Sequence, residues 1–210
     1  MIASQRTRPD VVARREAFLV EVASIPADRL VFVDESGVVQ GMRAAYGYAP
    51  RGERCVDWAG IGPTAPFRVG RRMNLLGWMR ADSGGVVGIE GSVKADTFEQ
   101  FVATSLVPSL RRGDVVIWDN ARIHGAGSVA RIESVGARVL AQPPYSPDLN
   151  AIEPPPTAGG LWSKVKGIVR QKLADLYEDL VAALDEAVSA VRPSDAAGWI
   201  RHCGYLCQPA

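Results

Sequence analysis

The stretch VVIWDNARIH, residues 115–124, joins four apolar residues directly to an aspartate. Val115 to Trp118 show no polar alternation, which is typical of a β-strand buried on both faces of a sheet. Asp119 and Asn120 follow at the end of this strand, where open α/β sheets place ligand-binding and catalytic groups. Both residues also favour turns, so a plain turn is the competing interpretation.

A second stretch, RLVFVDESG (29–37), repeats this pattern, because an apolar strand again leads into an acid, Asp34, and then a glycine turn. Three further segments are predicted strands, AAYGYAP (44–50), MNLLGWM (73–79) and GVVGIEG (85–91). No helical pattern separates these segments. The first half of the chain is therefore predicted to form an antiparallel meander.

The second half changes to helical periodicity. Apolar residues at steps of three and four predict helices over 9–24, 95–110 and 126–135, and ARVLAQ (137–142) is a predicted last strand. Six prolines predict a long loop over 143–160. One long amphipathic helix is then predicted from Leu161 to Pro193, with Trp162 in an apolar stripe that we interpret as packing surface.

Composition indicates a soluble globular protein. The chain has 210 residues, 47% hydrophobic and 22% charged, enough for one domain with a sizeable core. No apolar run is long enough to cross a membrane and no signal peptide is evident, so we expect a cytoplasmic location. Cys55, Cys203 and Cys207 are predicted to be reduced thiols, because their number is odd and the chain shows no export signal. A zinc site at His202, Cys203 and Cys207 is disfavoured, because a fourth ligand and a recognisable spacing are missing.

Three acids from separate elements suggest a metal site. Asp34 and Asp119 follow two buried strands, and Glu153 lies in the proline-rich loop. Mg²⁺ binds a few carboxylates together with water and substrate phosphate. Two such ions about 4 Å apart can activate the attacking oxygen and stabilise the leaving oxygen of a phosphodiester. The three acids are therefore candidate ligands for phosphodiester chemistry.

Three motifs in this order, VFVDESG (31–37), WDNARIH (118–124) and PPYSPDLNAIE (143–153), resemble the catalytic domain of mariner-related bacterial insertion-sequence transposases, within the DDE superfamily. The resemblance implies a ribonuclease-H-like α/β fold, a mixed sheet flanked by helices. It also implies dependence on Mg²⁺ or Mn²⁺, with two ions expected, and cleavage of transposon ends followed by strand transfer. Asp34, Asp119 and Glu153 correspond to the catalytic and metal-binding acids, with Asn120, His124 and Asn150 as supporting residues.

The expected partner is DNA, both transposon ends and target, and a homodimer is expected on it. Net charge is only +1, so phosphate contacts must come from local basic clusters. The candidate DNA-binding residues are Arg68, Arg71, Arg72, Lys164 and Lys166. We expect a location in the cytoplasm, associated with the nucleoid when DNA is bound.

Two features depart from the family pattern. Residues 1–28 are predicted to be a helical linker before a catalytic domain at 29–210, with no N-terminal helix-turn-helix domain, so a separate DNA-reading subunit or upstream frame is expected. Trp162 follows Glu153 by nine positions, where an aromatic residue commonly follows by three, because PPPTAGG intervenes. Glu153 is therefore predicted to lie on a loop.

These departures keep an alternative function open, a catalytically silent or truncated DNA-binding or interaction module with the same fold. A nucleotide-binding enzyme is disfavoured, because GIGP (60–63) lacks the strand, glycine spacing and helix of a dinucleotide site.

Overall fold

The computed structural model describes residues 4–42, 48–54, 71–153, 159–172 and 176–205. The helices are α1 (Pro9–Ala23), α2 (Ala95–Phe101), α3 (Ala126–Ser134), α4 (Leu161–Lys172), α5 (Tyr177–Ser189) and α6 (Pro193–His202). The strands are β1 (Leu30–Val39), β2 (Arg72–Met79), β3 (Gly84–Glu90), β4 (Val115–Trp118) and β5 (Arg138–Ala141). A π-helical segment and a 3₁₀ turn extend α2 as far as Ser109.

The five strands form one mixed sheet in the order β3-β2-β1-β4-β5. β1, β2 and β3 pair antiparallel, as expected for consecutive strands joined without a helix. β4 pairs parallel with β1 and β5, and helices make the crossovers. This mixed sheet, flanked by six helices in the described part of the chain, confirms the predicted ribonuclease-H-like fold class.

The sheet has a hydrophobic layer on each face, and alternation along β1 shows how the layers divide. Leu30 and Phe32 belong to the core that includes residues of α1, α4, α5 and α6. Val31 and Val33 belong to the core on the opposite face, with residues of α2 and α3. Successive strand residues face opposite sides. Asp34 is therefore on the α4 side and Glu35 on the α2 side.

The predicted long C-terminal helix is wrong as a single element. α4 ends at Lys172 and α5 begins at Tyr177, and Leu176 before it has an extended backbone. A continuous helix over 161–191 would be roughly 45 Å long and would project past the sheet. Two shorter helices instead bury Val165 and Leu180 in the same core.

Other predictions differ in outcome. Residues 44–47 of the predicted strand 44–50 lie outside the described residues, and 48–50 are not in a strand. Cys203 is a free thiol, whereas Cys55 and Cys207 lie outside the described residues. In the described ranges no helix has the length and apolar character to cross a membrane. Phe18 and Val22 of α1 lie in the core with β1, and the domain division at residue 28 stays a prediction.

Candidate active site

Strand register places the two aspartates at the same level of the sheet. The parallel pairs of β1 and β4 run from Leu30 with Val115 to Phe32 with Ile117. Two residues further along each strand are Asp34 and Asp119. Asp119 comes directly after the end of β4. β1, in contrast, continues past Asp34 to Val39 and stays paired with β2. The prediction that Asp34 ends its strand is therefore wrong. The neighbouring positions of the two acids are as predicted.

All three predicted acids line one cleft of about 720 Å³, which we call the acidic cleft. Asp34 is partly buried at its base, whereas Asp119 and Glu153 are exposed. The remaining lining includes Arg14, Asn120, Gln142, Tyr145 and Asn150. The fold therefore brings together side chains that are 119 positions apart in the sequence, from Asp34 to Glu153.

Electrostatic interactions within the acidic cleft show that Asp34 experiences the charge of the other two acids. Burial is the largest cause that raises the pKa of Asp34, and the negative charges of Glu153 and Asp119 raise it further. A backbone hydrogen bond at Glu35 and the Trp162 indole act in the opposite direction. The net result is a pKa of about 7. A cation in this cleft would relieve that repulsion.

Asp119 also forms the turn that was the competing interpretation. Its Oδ1 accepts a hydrogen bond of 2.9 Å from the backbone N–H of Ala121. Asn120 donates from Nδ2 to the carbonyl oxygen of Gln142 at 2.7 Å and so ties the ends of β4 and β5 together. Asp119 therefore forms a turn and also lines the acidic cleft, so the two interpretations are compatible.

His124 supports this turn from beneath. Its ring packs against both Phe98 and Trp118, with centroids 4.4 and 4.7 Å away, and its side chain is only 6% exposed. Nδ1 lies 2.9 Å from the backbone carbonyl oxygen of Asp119, which can only accept, so this nitrogen carries the proton. Nε2 lies 3.4 Å from Oε1 of Glu35, without the geometry of a hydrogen bond. His124 is not among the residues that line the acidic cleft.

The loop that leads to Glu153 is held from both ends of the chain. Asp148 accepts two hydrogen bonds from Arg15 of α1, at 3.0 and 2.7 Å, and one from Arg6 at 2.8 Å. These arginines hold the pKa of Asp148 below its usual range, although burial alone would raise it. The hydroxyl of Tyr205 donates to the carbonyl oxygen of Leu149 at 2.6 Å.

Glu153 lies on a turn outside α4, as predicted, yet it stays next to the start of that helix. The backbone N–H of Leu161 donates to the carbonyl oxygen of Ile152 at 3.1 Å. Asn150, a predicted supporting residue, accepts from the N–H of Ile152 at 3.3 Å through its Oδ1. Ile152 and Leu161, which lie on either side of the inserted residues in the sequence, are thus joined beside Glu153.

The predicted DNA-binding residues that the structure describes lie in different places. Arg72 and Lys166 line a groove of about 540 Å³ with Glu35, Asn74 and Glu153, which we call the side groove. Glu153 borders both it and the acidic cleft.

The other three candidate residues have different surroundings. Lys164 pairs with Asp195 of α6, and its contact with DNA stays a prediction. Arg71 lies 3.4 Å from Glu90 and 4.0 Å above the ring of Tyr177. Arg68 lies outside the described residues.

The metal-binding capacity of these acids depends on side-chain rearrangement. Across the described residues no group of three His, Cys, Asp or Glu side chains converges closely enough to hold a metal ion. The donor type nevertheless fits a hard divalent cation, because carboxylate oxygens border one water-accessible cleft. Asp119 and Glu153 are exposed, so their side chains have room to turn toward Asp34.

Comparison with a family model decides the family. The model described as DDE superfamily endonuclease matches residues 29–181. The chain belongs to this family. No curated protein sequence matches the chain with significance.

Solved structures with the fold of this DDE superfamily member include three of Mos1 transposase. The paired-end complex with left transposon end has a TM-score of 0.71 and 18% identity, and the match covers 97% of this chain and 61% of that chain. The mariner Mos1 paired-end complex with Mg has a TM-score of 0.65 and 18% identity, and the match covers 95% of this chain and 60% of that chain. The Mos1 catalytic domain with raltegravir and Mg has a TM-score of 0.61 and 16% identity, and the match covers 94% of this chain and 92% of that chain.

The extent of these matches has two consequences for this DDE superfamily member. The chain spans about three fifths of the length of the two Mos1 chains in paired-end complexes, 61% and 60%. It matches nearly all of the Mos1 catalytic domain, 92%. At these identities the likeness establishes the fold, and the predicted resemblance to the catalytic domain of mariner-related DDE transposases is confirmed.

Sequence reasoning missed two residues of this DDE superfamily site. Arg14 lines the acidic cleft, although its helix was interpreted as a linker. Trp162 donates a hydrogen bond to Asp34, although it was assigned only to the packing stripe. The commonly shorter spacing between the glutamate and the following aromatic residue was the available signal for Trp162, and no sequence signal pointed to Arg14.

Proposed function

We propose that this chain is the catalytic domain of a DNA transposase, which cuts phosphodiester bonds at transposon ends and joins them to target DNA. The observation that carries the proposal is the acidic cleft, in which Asp34, Asp119 and Glu153 come together from β1, the end of β4 and the loop before α4. Membership of the DDE superfamily endonuclease family supports the reaction class.

In this proposal the three carboxylates hold divalent cations. Mos1 structures were solved with Mg and with Mn, which supports the same metal class here, and two ions are proposed on chemical grounds. Bound ions would activate the attacking oxygen and stabilise the leaving oxygen. Asp34 supplies a ligand at the cleft base, and Asp119 and Glu153 turn inward from the rim.

The supporting residues act through these acids. Asn120 and His124 hold the backbone at Asp119 and directly after it, and Asn150 holds the turn before Glu153. A misplacement of about 1 Å in such a site can lower the rate on the order of a hundredfold. These contacts therefore contribute to the rate through the positions of Asp119 and Glu153.

DNA is the proposed substrate, because Mos1 relatives were solved with a left transposon end and as a strand transfer complex. The phosphate backbone would pass through the acidic cleft and the side groove, where Arg14, Arg72 and Lys166 lie. A second copy of the chain, a separate helix-turn-helix reading unit and a nucleoid location remain predictions.

The test is metal-dependent cleavage of a duplex by the purified chain, compared with Asp119→Asn. The asparagine keeps the Oδ1 that accepts from Ala121, so the turn survives while one anionic ligand is lost. We expect cleavage to fall at least a hundredfold, with DNA affinity equal or higher because a repulsion toward phosphate is removed. Asp185→Asn, an exposed acid on α5, is the matched control and should cleave like the parent.

The alternative function gives a different result. A catalytically silent DNA-binding module would bind DNA with no Mg²⁺- or Mn²⁺-dependent cleavage in the parent. Undiminished cleavage by Asp119→Asn would instead show that Asp119 serves only the turn.

A further inference from the structure

Trp162 contacts the acidic cleft from inside the hydrophobic core. It lies in the first turn of α4, is completely buried, and donates its indole N–H to Oδ2 of Asp34 at 3.1 Å. Asp34 faces the α4 side of the sheet together with Leu30 and Phe32, so the two side chains meet there by strand alternation. One carboxylate oxygen of Asp34 is thereby fixed by a neutral donor.

Gly77 provides the space for this contact. It is the β2 residue paired with Asp34 across the antiparallel ladder. A Cβ at position 77 would lie 2.5 Å from Cη2 and 2.8 Å from Cζ2 of Trp162, far inside van der Waals contact. Any larger residue at position 77 would push the indole away from Asp34.

The same helical turn is joined to the third acid. Leu161, immediately before Trp162, donates its backbone N–H to Ile152, immediately before Glu153. Both Leu161 and Ile152 are buried in the core with Trp162. The start of α4 therefore has a direct bond to Asp34 and a backbone bond beside Glu153.

We propose that Trp162 is a positioning residue for the metal site: its indole holds Oδ2 of Asp34 so that Oδ1 is presented to the cation, and Gly77 is the notch that permits this. The proposal rests on the proposed metal-binding function. This positioning role differs from simple packing, because it attributes the effect on metal affinity to the indole N–H group and not to the volume of the ring. Partners that orient metal ligands typically contribute 10- to 100-fold to metal affinity.

The experiment measures Mn²⁺ affinity by electron paramagnetic resonance in Trp162→Phe, with DNA cleavage as a second readout. We expect a loss of at least tenfold in Mn²⁺ affinity. Trp78→Phe is the matched control, since Trp78 is also buried and donates its indole N–H, to Ser105 at 3.2 Å on the opposite face of the sheet. It should bind Mn²⁺ within twofold of the parent. Replacement of the Trp162 indole by benzothiophene removes the N–H while keeping the ring, should phenylalanine unfold the chain.

Gly77→Ala gives an independent test, because it keeps the indole and displaces it. We expect the same direction of change as in Trp162→Phe. The double variant should bind Mn²⁺ no more weakly than Trp162→Phe alone, since the smaller ring accommodates the new methyl group. Gly88→Ala is the control, because its Cβ would meet only the flexible side chain of Met73 closely.

The outcomes separate this inference from the proposed function. A parent that binds Mn²⁺ no better than Asp34→Asn would overturn the proposed metal site itself. A parent that binds Mn²⁺, with a folded Trp162→Phe or benzothiophene variant equal to it, would overturn the positioning role alone.

Discussion

At the scale of single residues, Asp34 links stability to pH. Its pKa rises from 3.8 to about 7 in the folded chain, first because of burial and then because of Glu153 and Asp119. Between these pH values the folded state keeps a proton that the unfolded state has released. Stability contributed by this group is therefore lost as pH rises from about 4 to about 7 and levels off above.

The corresponding prediction concerns Asp34→Asn in buffer with a chelator. Urea unfolding should be measured from about pH 5 to about 8.5. The free energy of unfolding of the variant, relative to that of the parent, should increase as pH rises, with a limiting slope of about 1.4 kcal/mol per pH unit for one proton. Asp185→Asn, exposed on α5, should give a curve parallel to that of the parent. Parallel curves for Asp34→Asn as well would contradict the raised pKa.

Tyr145 carries backbone strain on the wall of the acidic cleft. In the described part of the chain it is the one residue other than glycine with positive φ, at 56°. Left-handed backbone costs a residue with a side chain roughly 1 kcal/mol relative to glycine. Tyr145→Gly should therefore be more stable to urea than Tyr145→Ala by about 1 kcal/mol, since both lose the ring. Alanine is usually the more stabilising of the two residues. If Tyr145→Ala were more stable than Tyr145→Gly, the backbone at position 145 would not be strained.

Residue-level prediction succeeded where a side chain follows a strong local pattern. Asp34 and Asp119 each follow an apolar run, and the parallel register of β1 and β4 places them at the same height in the sheet. Arg15 and Trp162 could not be assigned this way. Their partners lie 133 and 128 positions away, and the periodicity of a helix gives its buried face without naming the contact.

At the scale of elements, β1 to β5 and most helices agreed with the sequence. Residues 48–50 of a predicted strand and the break between α4 and α5 did not. The apolar steps continue through Leu173 and Leu176 without proline or glycine, so nothing local ends the helix. The break follows from tertiary packing, because both halves of the stripe fit the same face of the sheet only when the chain folds back.

The insertion after Glu153 gives the element-scale prediction. Gly160 accepts a hydrogen bond from the N–H of Lys164 and has φ of 143°, which proline cannot adopt. Deleting residues 154–159 keeps this glycine, places Trp162 three positions after Glu153, and turns the bond between Leu161 and Ile152 into an i to i−3 contact.

We expect the deletion variant to fold with α4 beginning next to Glu153 and to cleave DNA faster with Mg²⁺, because the glutamate is then held by the helix. Deleting 155–160 removes equally many residues but puts Pro154 in place of Gly160, and this control should be less stable. An active parent that loses activity in the 154–159 deletion would show that the inserted residues themselves position Glu153.

At the scale of the whole molecule, a net charge of +1 gives little long-range attraction to DNA, so local charge must decide binding. Sequence clustering identified basic stretches but could not separate exposed charges from paired ones. Lys164 and Lys166 show the difference, since they lie two positions apart on α4 and therefore face different sides. Lys164 pairs with Asp195, whereas Lys166 lines the side groove with Arg72 and Glu153.

This difference predicts distinct salt dependences for two variants of similar chemistry. Each phosphate contact adds about 0.9 to the slope of log binding constant against log salt concentration for duplex DNA. Lys166→Gln should lower that slope by about 1 in fluorescence anisotropy titrations between about 50 and 200 mM salt. Lys164→Gln should leave the slope unchanged, because its ammonium group is already neutralised by Asp195. Equal slopes for the two variants would mean that DNA does not follow the side groove, and the path past Glu153 would then have to run through the acidic cleft and Arg14 alone.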